Sequence, residues 1–310
     1  MSHEIARLTR RDALTLAAGA AGSLALPGAG FAQQAGLLAR KIPVTGEMLP
    51  CVGIGTAIIF DFENDKAKFD ERADVLKTLV AGGGRLVDTA PSYGMAEARL
   101  GELFEATQLR DKIFLATKVR VADREATINE MKSSFAKLKT KSVELMQLHN
   151  PRDANQDLGL LREWKQQGLC KYFGISSSFD RDYEAVEAIV KKQKPDFLQI
   201  DFSMVDRNSE ERVIPAAADA GCAILTNLPF GRGRFFQKVA GKPLPDYAKE
   251  IDATSWAQFA LKWLLGNPAI TAVIPGTDKP QYMTDNLKAA MGRLPDPAMR
   301  KHMVDTFESL

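Results

Sequence analysis

From residue 53 onward the chain alternates short apolar runs with amphipathic stretches, eight times over. The runs cover residues 53–56, 85–88, 113–118, 143–149, 171–176, 197–201, 223–227 and 272–275. Each is nearly continuously apolar or β-branched, as a parallel strand covered on both faces must be. Between them lie helical spacings: Ile128, Met131, Phe135 and Leu138, then Tyr183, Val186 and Val190. Trp256, Phe259, Ala260, Trp263 and Leu264 form one apolar stripe, which reads as a packing face,. Trp164 reads the same way. Glycines at 82–84 and at 168 close two of the helices,.

Eight strand–helix units in one chain predict a single (β/α)8 TIM barrel. A doubly wound sheet is the competing α/β architecture, and it places Gly-x-Gly-x-x-Gly after its first strand. Residues 53–58, Gly-Ile-Gly-Thr-Ala-Ile, lack the third glycine. With 310 residues, 45% of them hydrophobic, the chain is long enough for one large core,.

Residues 1–32 read differently. Arg10 and Arg11 precede a mildly apolar stretch over 14–26, and Gly30-Phe31-Ala32 supplies small residues for cleavage. That is the layout of a secretory leader of the twin-arginine kind. The expectation is a signal over 1–32 and a barrel domain over 33–310. The export machinery is then a partner, and the location periplasmic or secreted. Removing the leader takes away three arginines and two acids, so the formal net charge falls from +2 to +1. No basic stripe interleaved with aromatics appears, so nucleic acid is not an expected partner. No second long apolar run suggests a membrane anchor. Cys51, Cys170 and Cys222 are too far apart for a metal motif and read as buried thiols, so no metal is expected,.

In a barrel, chemistry gathers where strands end. Asp88 ends the second run and Tyr93 follows it; Lys118 ends the third and His149 the fourth. Singly, each has a structural reading: a surface lysine, a helix-capping aspartate, a buried histidine, a packing tyrosine. Together they make an acid for carbonyl reduction. A phenol has a pKa near about 10, and a neighbouring ammonium favours the phenolate. At about 4 Å and an effective dielectric of 20 the effect is roughly three pKa units before burial is counted. Asp88 would keep Lys118 charged and oriented, and His149 would bond the carbonyl oxygen.

Asp88-Thr89-Ala90-Pro91-Ser92-Tyr93-Gly94 resembles the Asp-Thr-Ala-x-x-Tyr-Gly signature of the aldo-keto reductase superfamily. Lys118 and His149 fall where that family has its lysine and histidine. Residues 42–47 resemble its N-terminal hairpin and 53–56 its first strand. Glu97, Leu100 and Gly101 match the helix after the tyrosine. The resemblance covers nearly all of the chain after the leader.

It implies hydride transfer from NADP or NAD to an aldehyde or ketone, with Asp88, Tyr93, Lys118 and His149 as the catalytic set. It implies cofactor contacts from Gly55, Thr56 and Asp88, and from Ser176, Ser177 and Gln199 at the carboxamide. Asn227, Leu228, Gly231, Arg232 and Gly233 fall at the pyrophosphate loop. Gly276, Thr277, Lys279, Asp285 and Asn286 fall at the adenosine end. Ile58, Tyr93, His149 and Asn150 would meet the substrate.

The chain departs from the family at three positions. Asn227 replaces an aromatic residue that stacks on the nicotinamide. Asp278 stands close to the expected 2′-phosphate, and Tyr282 stands where arginine is frequent. NADP follows from the family, and Asp278 brings NAD into competition. Two other readings remain. One is an exported ligand- or nucleotide-binding barrel without turnover; the other is a cofactor-free lyase or isomerase using Lys118 or His149. Loops over 57–68, 120–125 and 230–251 would choose the substrate. Residues 295–310 read as one terminal helix covering a helix face or the barrel floor. A monomer is expected.

Overall fold

A computed structural model describes residues 36–310. The leader expected over 1–32 lies outside the described residues. Strands β1 (Ala39–Lys41) and β2 (Met48–Pro50) form an antiparallel hairpin with Arg40 opposite Leu49. Eight parallel strands follow: β3 (Ile54–Gly55), β4 (Leu86–Asp88), β5 (Phe114–Arg120), β6 (Val143–His149), β7 (Cys170–Ser176), β8 (Phe197–Asp201), β9 (Ala223–Asn227) and β10 (Ile270–Val273). They pair in sequence order, so the expected barrel is what forms. The seam between its first and last strands is held by single hydrogen bonds. Val273 N donates to Cys51 O at 2.9 Å, Gly53 N to Val273 O at 2.9 Å, and Gly55 N to Pro275 O at 3.2 Å.

Two end strands are displaced from their expected positions. β10 runs Ile270–Val273 instead of 272–275, because Pro275 has no N–H to continue the ladder,. β3 shrinks to two residues, and the chain just before it packs tightly on β4. A Cβ on Gly53 would lie 2.6 Å from Leu86 O, so only glycine permits that approach,.

Strand alternation sorts the side chains. Phe114, Ala116, Leu145, Tyr172, Phe197, Ala223, Leu225 and Ala272 point into the barrel and pack with Ile42 and Leu49 of the hairpin,. The lower barrel is therefore a solid plug, with Tyr172 edge-on to Phe197 at 5.4 Å. Alternate residues such as Leu115, Met146, Ile175, Leu198 and Ile224 face outward into the helix layer. Helix starts carry side-chain caps: Asp65 to Lys68 N, Asp123 to Ala126 N, Ser255 to Gln258 N and Asp296 to Met299 N,.

The stripe on helix Trp256–Leu265 is packing, as expected, and Trp164 is buried. The terminal helix Pro297–Ser309 covers a helix face, with Phe307 stacked on Phe235 at 5.1 Å. All three cysteines are free and buried. Among the described residues no helix is long and apolar enough to cross a membrane, and no acidic, histidine or cysteine cluster could hold a metal.

Candidate active site

Above the plug, the same inward alternation turns polar. Asp88 is the last residue of β4, Lys118 lies two residues above Ala116 on β5, and Gln147 lies two above Leu145 on β6. Lys118 and Gln147 are cross-strand partners. Lys118 Nζ reaches Asp88 Oδ1 at 2.9 Å, Asp88 Oδ2 at 2.8 Å and Thr89 O at 2.8 Å. Two amides close the ring: Gln147 Nε2 donates to Oδ1 at 3.3 Å and Gln199 Nε2 to Oδ2 at 3.2 Å. Lys118 is fully buried, which rules out the surface-lysine reading. Burial is the largest single influence and opposes its charge, but Asp88 and Tyr93 together more than compensate and the pKa is raised, so Lys118 is an ammonium,.

Tyr93 leans over this ion pair, with Lys118 Nζ 4.9 Å from its ring centroid. Its turn is fixed from both sides. Tyr93 N donates to Ala90 O at 3.1 Å, and Gly94 takes φ +56 beside the Asp61 carboxylate, where a Cβ would collide. His149, at the end of β6, meets the Tyr93 ring edge-on at 6.0 Å and 84°. Burial, then Lys118 and Arg120, lower the His149 pKa to about 3, so the imidazole is neutral at ordinary pH. From the residue types alone, the ammonium is expected to lower the phenol's pKa. Lys118 does act in that direction, but burial is the larger effect and Asp88 opposes as well, so the pKa of Tyr93 is raised,. Its hydroxyl therefore carries a proton at neutral pH.

The implied cofactor positions fall into three groups. Ser176, Ser177 and Gln199 are buried at the tops of β7 and β8, and Gln199 Oε1 has no partner. Asn227, in the aromatic position, donates to Ser177 O at 3.1 Å and leaves its Oδ1 unpartnered. Asn150, at φ +53, also keeps a buried unpartnered Oδ1. The next group is the loop after β9. Leu228, Gly231, Arg232 and Gly233 all have positive φ, and Leu228, Gly231 and Arg232 line a cavity of about 280 Å³ with Ser178, Asp201 and Ser203. Unpartnered buried acceptors beside a glycine-containing loop fit a ligand with amide and phosphate groups.

The third group lies beyond β10. Gly55 bridges Gly276, and Thr56 Oγ1 donates to Asp88 O at 3.0 Å. Asn286 Nδ2 donates to Thr277 Oγ1 at 2.9 Å. Lys279 lies 5.8 Å from the Tyr282 ring centroid, and Asp278 is anchored through its carbonyl by Arg72. The Asp285 carboxylate is engaged by Ser255 Oγ at 2.5 Å and Gln258 Nε2 at 2.6 Å, so it braces the start of helix Trp256–Leu265. Ile58 stands exposed on the loop after β3.

Gln147 and Asp201 join the site without having been expected from the sequence. Gln147 shares the inward period-two face with His149, a signal that was present in the run. Asp201 accepts a bond from Tyr183 at 3.0 Å, and burial raises its pKa to about 6. Only the fold brings Tyr183 to it.

The family model described as "Aldo/keto reductase family" matches residues 52–302. The oxidoreductase YqkF of Bacillus subtilis is 26% identical over 285 residues, covering 79% of this chain and 87% of that protein. Probable aldo-keto reductase 1 of Glycine max is 24% identical, covering 86% and 88%. Among solved structures, the thermostable aldo-keto reductase Tm1743, in complex with the inhibitor epalrestat, superposes with a TM-score of 0.71 at 27% identity, covering 87% of this chain and all of that one. An aldo/keto reductase from Klebsiella pneumoniae, in complex with NADP and acetate, gives 0.69 at 19% identity over 84% and 93%, a likeness of fold. The chain belongs to the aldo/keto reductase family, and with it to the NAD(P)-dependent oxidoreductases.

Proposed function

We propose that the protein reduces an aldehyde or ketone to the alcohol, with Tyr93 as the acid that protonates the carbonyl oxygen. When bound, the nicotinamide cofactor supplies the hydride to the carbonyl carbon. Lys118, held charged by Asp88, stabilises the negative charge that develops on Tyr93 as its proton leaves,. His149, neutral and edge-on to Tyr93, offers an N–H that orients the carbonyl oxygen. The observation that carries this reading is the fully buried Lys118–Asp88 pair beneath a protonated phenol at the barrel mouth. A buried ion pair is a poor way to stabilise a fold, and its place under a titratable hydroxyl supports a chemical role.

Ser176, Ser177 and Gln199 would hold the carboxamide, the last through its free Oε1. Backbone amides of Leu228, Gly231 and Gly233 would receive the pyrophosphate, with Arg232 adding charge. Gly55, Thr56, Gly276, Thr277, Lys279 and Asn286 would frame the rest, while Asn227 leaves one nicotinamide face without an aromatic partner. NADP is the expected choice, as in the Klebsiella protein. Asp278 narrows that preference, since its carboxylate repels a 2′-phosphate.

The test is titration of residues 33–310 with NADPH and NADH, following quenching of the three tryptophans. Saturable binding of both with NADPH tighter is expected, and Asp278→Ser widens the gap. A folded, nucleotide-free sample that binds neither would sink the reading.

The same reading includes export. Arg10-Arg11 before the apolar 14–26 stretch supports twin-arginine transport,. Fractionation of cells expressing the full chain is expected to place it outside the cytoplasm, with retention after a change of both arginines to lysine. Export that survives that change would overturn the route.

A further inference from the structure

We propose that the substrate is a carbonyl compound with an apolar body and a carboxylate, and that Arg120 at the rim of the barrel mouth receives the carboxylate. The inference rests on the reductase reading and assigns its substrate class.

The strand fixes the place. On β5, Phe114, Ala116 and Lys118 face inward, so Arg120 lies on that same face, one layer nearer the mouth than the buried lysine,. Its cross-strand partner is His149. The residue is therefore directly above the catalytic layer, on the side where the imidazole stands.

Arg120 is also held in position. Glu130, from helix Arg124–Lys137, accepts Arg120 Nε at 2.6 Å and the Arg120 backbone N–H at 2.6 Å. Glu130 itself is largely covered, whereas the arginine side chain is 69% exposed. Nη1 and Nη2 have no hydrogen-bond partner among the described residues. An exposed arginine normally loses several rotors when it binds an anion; here the fork is already restrained, with one edge left open.

The electrostatics agree. The Arg120 charge is felt at His149, where it helps keep the ring neutral. Arg232, on the loop after β9 and so four strands round the barrel, is felt at Tyr93. Arg232 takes part in no ion pair among the described residues. Two cations, one at the end of β5 and one on the loop after β9, thus flank the reacting groups. Apolar side chains stand exposed after the first three barrel strands: Ile58 is 83% exposed after β3, and Met95 and Val121 are exposed after β4 and β5. That combination suits an apolar carbonyl compound with one anionic end.

The experiment compares 4-carboxybenzaldehyde with its neutral near-isostere, methyl 4-formylbenzoate, using the enzyme with NADPH. The acid is expected to have the higher kcat/KM by about tenfold, the worth of one charge-assisted bond. The preference shrinks as salt rises. Arg120→Met lowers kcat/KM for the acid about tenfold or more while moving the ester less than about threefold, and Arg120→Lys restores part of the difference. If the two substrates fall together, Arg120 only braces the end of β5 and the inference is overturned. Calorimetric binding of terephthalate gives a second readout that needs no turnover. Turnover without charge discrimination rejects the carboxylate and leaves the reductase reading standing. Arg120-dependent terephthalate binding without turnover does the reverse, and absence of both rejects the two together.

Discussion

At the floor of the barrel, Tyr172 donates its hydroxyl to Glu47 Oε2 at 2.6 Å and shares a bond of 2.7 Å with Thr45 Oγ1. Lys171 and Arg85 complete the cluster, at 2.8 and 2.7 Å from the same carboxylate. At the mouth, Tyr93, Lys118 and Asp88 repeat those residue types in a different arrangement. The floor cations reach solvent, and the Tyr172 hydroxyl, bonded to the Glu47 carboxylate, is kept from ionising by burial and then by Glu47, its pKa pushed up to about 12. The mouth cation is sealed in, and the mouth retains unpartnered acceptors on Gln147, Asn150, Gln199 and Asn227. Residue type does not make the difference between a clasp and a site. What decides is whether the polar atoms satisfy one another or are left facing something absent from the chain.

The largest expected contrast between the two ends is in turnover. Tyr93→Phe lowers kcat by about 10²–10⁴-fold, the range for loss of a positioned acid, with little change in stability. Tyr172→Phe leaves carbonyl reduction intact and costs about 1–2 kcal/mol of stability, from the bond to Glu47. Steady-state kinetics and denaturant melts on both variants test this. Turnover surviving Tyr93→Phe would leave the mouth without an assigned acid.

A smaller effect is expected from Gln147. Its amide draws charge from Asp88, and the Asp88 charge is one of the influences that raise the Tyr93 pKa. Gln147→Leu therefore moves the alkaline limb of kcat/KM to higher pH, by less than about one unit for a bond of ~1 kcal/mol. A limb that stays in place while stability falls would make Gln147 purely structural.

The effect that separates the ends by pH is on acid stability. His149 titrates at about 3 instead of its ordinary 6.5. Between those values the unfolded chain binds a proton that the folded chain declines, so stability falls as pH drops through that window. At Glu47 burial alone would raise the pKa, but bonds from Lys171, Tyr172 and Arg85 outweigh it and hold it at about 2, against an ordinary 4.5. Its contribution is complete above 4.5 and disappears as pH falls toward 2. His149→Gln is expected to flatten the upper part of the acid decline and Glu47→Gln the lower part. Denaturation free energies measured in pH steps check both, and coincident profiles for the two variants would remove the distinction.

Much of this was legible in one dimension. The eight runs and the helical spacings between them define the barrel, because parallel strands covered on both faces leave an unmistakable apolar trace. Asp88, Tyr93, Lys118 and His149 were found because barrel chemistry collects at strand ends and a signature surrounds the first two. The extent of β3 was misjudged, since the chain there packs through Gly53 against Leu86 of β4, a contact between segments more than 30 residues apart. Asp285 was read for its place near the adenosine segment, yet Ser255 and Gln258, distant in sequence, engage its carboxylate.

The sequence by itself determined the period, the architecture and the identity of the polar side chains that gather at the barrel mouth. Those depend on local alternation and on which side chains stand at the ends of runs. The tertiary structure alone decided the protonation states and the partners. Burial outweighs the ammonium at Tyr93, Asp88 and Tyr93 together outweigh burial at Lys118, and Glu130 from the following helix fixes Arg120 beside His149. Each is a balance between desolvation and a neighbouring charge, and such a balance has no sign until distances in space are known.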